Sequence, residues 1–180
     1  MAWKHEFMEV DLDKVRMPDL DPNWRVSQHG RPREEYEQWS RNDKEIQRLH
    51  DEEGLTTDDF LALKDSPDPA KREIGKSYQY IYGSNRSADA KRLVWDEKTG
   101  TFISDNGNHR IWTDKTSGLK YTRMEVSAPD QETLDRIRKE HARPDPIVRD
   151  QHDENVQRSR PLWERNSDNR DQRSHERLER

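Results

Sequence analysis

The amino-acid sequence predicts an α+β fold: a small mixed β-sheet with surrounding helices, followed by a charged C-terminal tail. Three observations predict it. Two β-rich runs, Arg92-Leu93-Val94-Trp95 and Thr101-Phe102-Ile103-Ser104, flank five polar residues ending in Gly100, the pattern of a hairpin. Apolar residues at helical spacing, closed by glycines, recur on both sides of that hairpin. From His141 onward Pro144, Pro146 and Pro161 recur, Lys disappears, and Arg alternates with Asp, Glu, Asn and Ser. Such a segment cannot bury enough apolar surface to offset its ordering entropy. The boundaries expected are therefore 1–142 for the folded domain and 143–180 for a disordered or loosely helical tail.

Each element has its own signal. Phe7-Met8-Glu9-Val10-Asp11-Leu12 alternates apolar and acidic residues, as a half-buried strand does. Pro18, Pro22 and Gly30 then impose loops. Tyr36, Trp39, Ile46 and Leu49 form one stripe of a helix over 33–53, and Gly54 stops it. Thr57 is the expected cap of a short helix carrying Phe60, Leu61 and Leu63. Ser66-Pro67-Asp68-Pro69 opens another, with Ile74, Tyr78 and Ile81 on one face and Gly83 at its end. After the hairpin, Asp105-Asn106-Gly107-Asn108 turns the chain into a short helix over about 109–117. Gly118 ends that helix and a strand follows over 121–126. Ser127-Ala128-Pro129-Asp130 starts a last helix carrying Leu134 and Ile137.

Composition excludes several function classes. The chain has 180 residues, 28% hydrophobic and 39% charged, so its core must be concentrated in one part. It has no cysteine, which removes disulfides, thiolate metal sites and cysteine nucleophiles. A net charge of -5 argues against a generally basic nucleic-acid binder, yet leaves room for a local basic patch. No apolar run is long enough for a bilayer, and Met1-Ala2-Trp3-Lys4-His5-Glu6 lacks a secretory apolar core. The expectation is a cytoplasmic protein with no membrane partner, open to export by a specialised secretion system.

Chemistry concentrates at Gly107-Asn108-His109-Arg110. The first turn of a helix has free N–H groups and the positive end of the macrodipole, which together welcome an anion. Glycine permits a positive φ and close approach of a ligand to the backbone. Arg110 brings a planar fork suited to phosphate oxygens, and His109 carries a proton near neutral pH. Asn106, Gly107, Asn108 and Arg110 are thus candidate phosphate-binding residues and His109 a candidate catalytic one. Local physics leaves a second reading open, an ordinary turn with a solvated arginine.

Phe102-Ile103-Ser104-Asp105-Asn106-Gly107-Asn108-His109-Arg110-Ile111-Trp112, then Gly118-Leu119-Lys120-Tyr121 and Met124-Glu125-Val126-Ser127, resembles the signature of the ParB/sulfiredoxin superfamily. Met8-Glu9-Val10-Asp11-Leu12-Asp13-Lys14-Val15 resembles that superfamily's opening strand. The resemblance implies a ParB N-terminal-like sheet, with Gly107, His109 and Arg110 on the phosphates of a nucleotide. It also implies function as a nucleotide- or nucleic-acid-phosphate-binding domain. Tyr80-Ile81-Tyr82-Gly83-Ser84-Asn85 resembles the toxin-type, effector-associated branch, which implies a bacterial phosphoesterase or nucleotide hydrolase. Departures narrow this. Asn108 stands where the partition proteins carry a metal-holding Glu, and the chain lacks the sulfiredoxin cysteine. Thr113-Asp114 replaces an Ala-Ala pair. The cofactor stays open, with magnesium accompanying a nucleotide as the candidate. A non-catalytic protein-interaction module that keeps the fold is the alternative, contacting its partner through the helices or the tail.

Other residues carry weaker signals. Glu9, on the opening strand, is a candidate general base, since the resemblance implies a carboxylate from that region in that role in the superfamily's serine-kinase branch. An alternating strand also carries such a Glu as its outward member. Ser84 and Asn85 are candidate phosphate donors or simply a helix-ending loop. The histidines at 5, 29, 50, 141, 152 and 175 lack metal-ligand spacing and are expected in solvent. Asp58-Asp59 reads as first-turn helix charge. The Trp and Tyr residues on helices are expected in the core, because basic residues do not cluster around them.

Overall fold

The computed structural model describes residues 2–82 and 90–145; Gly83, Ser84, Asn85 and the segment 146–180 lie outside the described residues. In chain order the elements are β1 (Lys4–Asp11), α1 (Arg33–Glu53), α2 (Thr57–Ala62), α3 (Pro69–Tyr82), β2 (Arg92–Asp96) and β3 (Thr101–Asn106). There follow α4 (Asn108–Thr116), β4 (Tyr121–Ala128), α5 (Gln131–Glu140) and β5 (Ala142–Pro144). Five strands form one sheet in the order β3-β2-β4-β1-β5. The β2–β4 pairing is parallel and the others antiparallel, so the sheet is mixed and the fold is α+β.

Strand period and register decide what is buried. Met8 lies opposite Met124 and Glu6 opposite Val126, so Met8, Val10, Met124 and Val126 share one face with no exposure between them. Leu93, Phe102, Ile111, Leu134 and Ile137 belong to the same core, α5 closing over it through Leu134 and Ile137. Each fully buried side chain of this size contributes roughly 1.5–3 kcal/mol. Aspartate supplies the cap of α5, its Asp130 carboxylate accepting from Thr133 N–H at 2.7 Å. The cap of α2 falls one residue earlier than the sequence suggests. Thr56 and Asp59 form a reciprocal capping box there, which uses the first-turn acid expected of Asp58-Asp59.

Two expectations are corrected. The folded domain extends past residue 142: Ala142–Pro144 pairs with β1, and Asp145 is buried against Arg123, with three contacts of 3.1 Å. Backbone pairing and a buried ion pair, which a composition count does not detect, hold this short stretch. The stripe of α1 is also more polar than its apolar spacing implies. Tyr36 and Ile46 are buried, but Ser40, Asn42 and Asp43 share their burial, while Trp39 and Leu49 are only half-buried.

Those polar residues feed a buried network that joins three helices to the sheet. Lys91 Nζ donates to Asp114 Oδ2 on α4 at 2.8 Å and to Thr122 Oγ1 on β4. Thr122 donates to Asp43 on α1 at 3.0 Å, and the Tyr82 hydroxyl of α3 donates to the other Asp43 oxygen at 2.7 Å. Ser40 of α1 donates to Asp114 at 2.6 Å. Burial pushes the Asp43 carboxyl above its ordinary value, and the Lys91 charge pulls against that rise.

Lys91→Met removes one cation and leaves two buried carboxylates facing each other's charge. We expect a loss of about 3–5 kcal/mol in chemical denaturation at neutral pH. A folded-state pKa above 3.8 means that Asp43 contributes stability fully present below that value and lost as pH rises through the folded value. The variant, lacking the opposing lysine, should therefore show a deficit that shrinks as pH falls toward about 4. A pH-independent deficit would mean that unpaired carboxylate charge is not its cause.

Candidate anion-binding site

β3 runs further than the sequence suggests, through Asn106, and a single residue, Gly107, links it to α4. The link is short because the end of β3 carries a bulge. Leu93 pairs with Ser104 and Arg92 with Asn106, so Asp105 is the extra residue. A bulge raises local twist and re-aims the chain beyond it. Gly107 takes φ 81° and ψ 36°, a left-handed conformation that any residue with a Cβ adopts at a cost. Its carbonyl accepts from Ile111 N–H at 2.9 Å, leaving the amides of Asn108, His109 and Arg110 without an intrahelical acceptor.

Arg110 turns back over this bend. A Cβ placed on Gly107 would lie 3.1 Å from Arg110 Nη2, 3.3 Å from its Nε and 3.2 Å from Lys91 Cγ. The guanidinium is half-buried, and among the described residues it has no hydrogen-bond or ion-pair partner. It stands where two clefts meet. The inner one is narrow, walled by Phe7, Trp39 and Tyr80 and floored by Lys91, Asp43 and Asp114. The outer one, about 1650 Å³ and also partly open, is lined by Gln28, His29, Arg31 and the Asn106–Arg110 segment.

His109 is half-buried on the outer side, its ring edge-on to Trp24 with centroids 4.6 Å apart and tilted toward Tyr36 at 6.3 Å. Trp24, Tyr36 and Trp112 form a second small apolar cluster that fixes it there. Partial burial, then the nearby His29, lowers the His109 pKa below the ordinary histidine value, so the ring is neutral at pH 7. Tyr36 also donates to Ser27 Oγ at 3.0 Å, and Ser27 Oγ accepts from the amides of His29 and Arg31 at 3.3 Å. These bonds pin the turn that brings His29 and Arg31 to the rim.

The remaining candidates divide. Gly107, Asn108, His109 and Arg110 come together as expected, and Asn108 is exposed at the lip. Asn106 also borders the outer cleft, but its side-chain amide donates to the Ala90 carbonyl at 2.7 Å, bracing the bend. Glu9 is not brought to the bend. It is 1% exposed, takes Arg143 Nε at 3.1 Å, and borders a separate small cavity with Ile46, Gln47 and Tyr82. Its strand face is covered by helices, so an outward member of the alternation is buried and must be paired. Ser84 and Asn85 fall outside the described residues. His29, expected in solvent without a role, lines the outer cleft. Trp39 and Tyr80, expected in the core, stand on the wall of the inner one.

The residues at the bend do not fit a magnesium ion held by the protein. Asn108 offers no carboxylate, Asp105 is 3.5 Å from Arg92, and no group of three or more His, Asp or Glu among the described residues has metal-holding geometry. What the geometry offers is a cation and free amides beside a neutral imidazole: recognition of a negatively charged group, with a proton acceptor at hand. Among the described residues no helix is long and apolar enough to cross a membrane. No protein-family model matches the chain, and neither a curated protein nor a solved structure matches it.

Gly107→Ala should cost about 1–2 kcal/mol, since alanine must hold the left-handed conformation and press on two side chains. Urea denaturation measures this. In the free protein the His109 ring should titrate below the usual histidine midpoint of about 6.5 by NMR, and His29→Ala should move it upward. A midpoint at or above the usual value would mean that the ring is solvated.

Proposed function

We propose that this chain is a phosphate-recognising domain whose ligand is a nucleotide or a nucleic-acid phosphate. One observation carries the reading: a guanidinium without a protein partner among the described residues, folded onto a left-handed glycine at the start of a helix, at the junction of two clefts. Arg110 donates in a fork to two phosphoryl oxygens, and the amides of the first turn of α4 add weaker donors. Likeness of Phe102–Trp112 to the ParB/sulfiredoxin signature supports the same residues in the same roles. Its toxin-type, effector-associated branch supplies the proposed setting, a bacterial phosphoesterase or nucleotide hydrolase.

In hydrolysis, the neutral His109 takes a proton as water attacks phosphorus. The bond to the ester oxygen breaks, and that oxygen takes a proton from solvent in the open groove. Arg110 and the amides hold the charge that develops on the phosphoryl oxygens. A second reading, binding without turnover, is favoured by His109 itself. Its ring leans on Trp24 and, among the described residues, has no hydrogen-bond partner to orient it, whereas a catalytic base is held by a third group. Such a domain would act as an interaction module.

Thermal shift and calorimetry against pyrophosphate, nucleotides and short oligonucleotides, with and without magnesium, test both. We expect binding that Arg110→Ala weakens about ten- to hundredfold, the worth of a charged hydrogen-bonding group. Turnover abolished by His109→Ala, with binding retained, identifies the enzyme; binding with no turnover identifies the module. No binding by any phosphate compound sinks the reading.

A further inference from the structure

Arg110, Tyr36 and Tyr80 line both clefts, and this shared boundary constrains the ligand further than phosphate recognition does. Resting on the proposed phosphate recognition, we infer that the ligand is a single-stranded nucleic acid. A bridging phosphodiester sits at Arg110, one base lies against the Trp39–Tyr80 wall, and the strand continues along the outer groove.

The shape of the boundary comes first. A phosphate on Arg110 stands at the boundary of both clefts, and a phosphomonoester or a free nucleotide extends from it in one direction only. A diester extends in both, past the exposed Tyr80 ring on one side and along the outer groove on the other. The two sides also differ in chemistry. In the inner cleft Trp39 and Tyr80 are stacked with centroids 4.4 Å apart and planes 25° from parallel. Tyr80 is 42% exposed, while Tyr78 and Tyr82 on the same helix are 2% and 1% exposed. An aromatic ring held rigid and left uncovered is a stacking surface that needs no rearrangement to receive a base.

The outer groove carries the guanidiniums of Arg110 and Arg31, the latter 3.4 Å from exposed Glu35 on α1, beside His29, the uncharged His109 ring and the neutral donors Gln28 and Asn108. Among the described residues that line it the one acid, Asp105, lies 3.5 Å from Arg92. Arg31 also stands over the Trp39 ring at 5.2 Å, so cation and ring are joined at the rim. Local charge of this kind suits a sugar-phosphate backbone despite a net charge of -5 for the chain. Duplexes are disfavoured, since a paired base cannot leave its stack to lie on the Tyr80 ring without the cost of unpairing.

Fluorescence anisotropy with a labelled oligothymidylate of about eight nucleotides, a length within single-strand site sizes, tests this. The full chain is titrated, with thymidine monophosphate, pyrophosphate and a hairpin duplex as competitors. The oligonucleotide should bind at least about tenfold tighter than the mononucleotide. Tyr80→Ala should weaken both by about tenfold and leave pyrophosphate unchanged, with Tyr80→Phe restoring binding. Arg31→Ala and His29→Ala should weaken the oligonucleotide alone, and Arg31→Ala should also flatten its salt dependence. Equal affinity for mononucleotide and oligonucleotide, or a duplex that competes better, overturns the inference and leaves the phosphate reading standing. Failure of the parent chain to bind any of these probes overturns both.

Discussion

A buried lysine holds this fold together and, through its stem, shapes the site. The Lys91 ammonium lies between Asp114 and Thr122, with Asp43 one hydrogen bond further on. Because burying a charge is costly, each partner must be in place for the others to be tolerated. Helices α1, α3 and α4 and strand β4 are thereby fixed around one residue just ahead of β2. Its Cγ stands 3.2 Å from where a Cβ on Gly107 would be. Glycine at the bend therefore answers two demands at once: a positive φ, and the room taken up by Lys91 on one side and Arg110 on the other.

Much of the fold was legible because its signals are local. Strand alternation around Met8 and Val10 and the glycine stops at Gly54 and Gly118 act within a turn or two of the chain. The hairpin loop ending in Gly100 was equally plain. What escaped was set by distant partners. Asp43 and Ser40 sit among charged neighbours on α1 and look solvated, and only Lys91 and Asp114, far along the chain, make their burial tolerable. Asp145 was lost to the tail because its reason for order is Arg123 on another strand.

The site was half legible for the same reason. Gly107, His109 and Arg110 are neighbours in sequence, so turn chemistry and helix-end electrostatics located them. Glu9 failed to join them because strand parity gives a face but not what covers it. Arg143 neutralises the Glu9 carboxylate away from the bend. His29 and Arg31 were invisible as candidate site residues, since contacts to α1, the bond from Tyr36 to Ser27 and the Arg31–Trp39 contact among them, carry their turn to the cleft. A Ser27 hydroxyl that takes two amides in its own turn is a weak signal in sequence, and it becomes informative once α1 is seen beside it.

Net charge says little about one site, and the reason is general. Lys91, Arg123 and Arg143 face Asp114, Asp145 and Glu9, so many of the charges counted in the sequence cancel inside the structure. A ligand approaching the surface does not sense those pairs at full strength, whereas Arg110 presents a charge that no protein group neutralises among the described residues. The sign of a site is set by the charges left over after internal pairing. That is how an acidic chain can present a cationic bend, and why the absence of basic clusters along the sequence did not rule out a ring wall beside a cation.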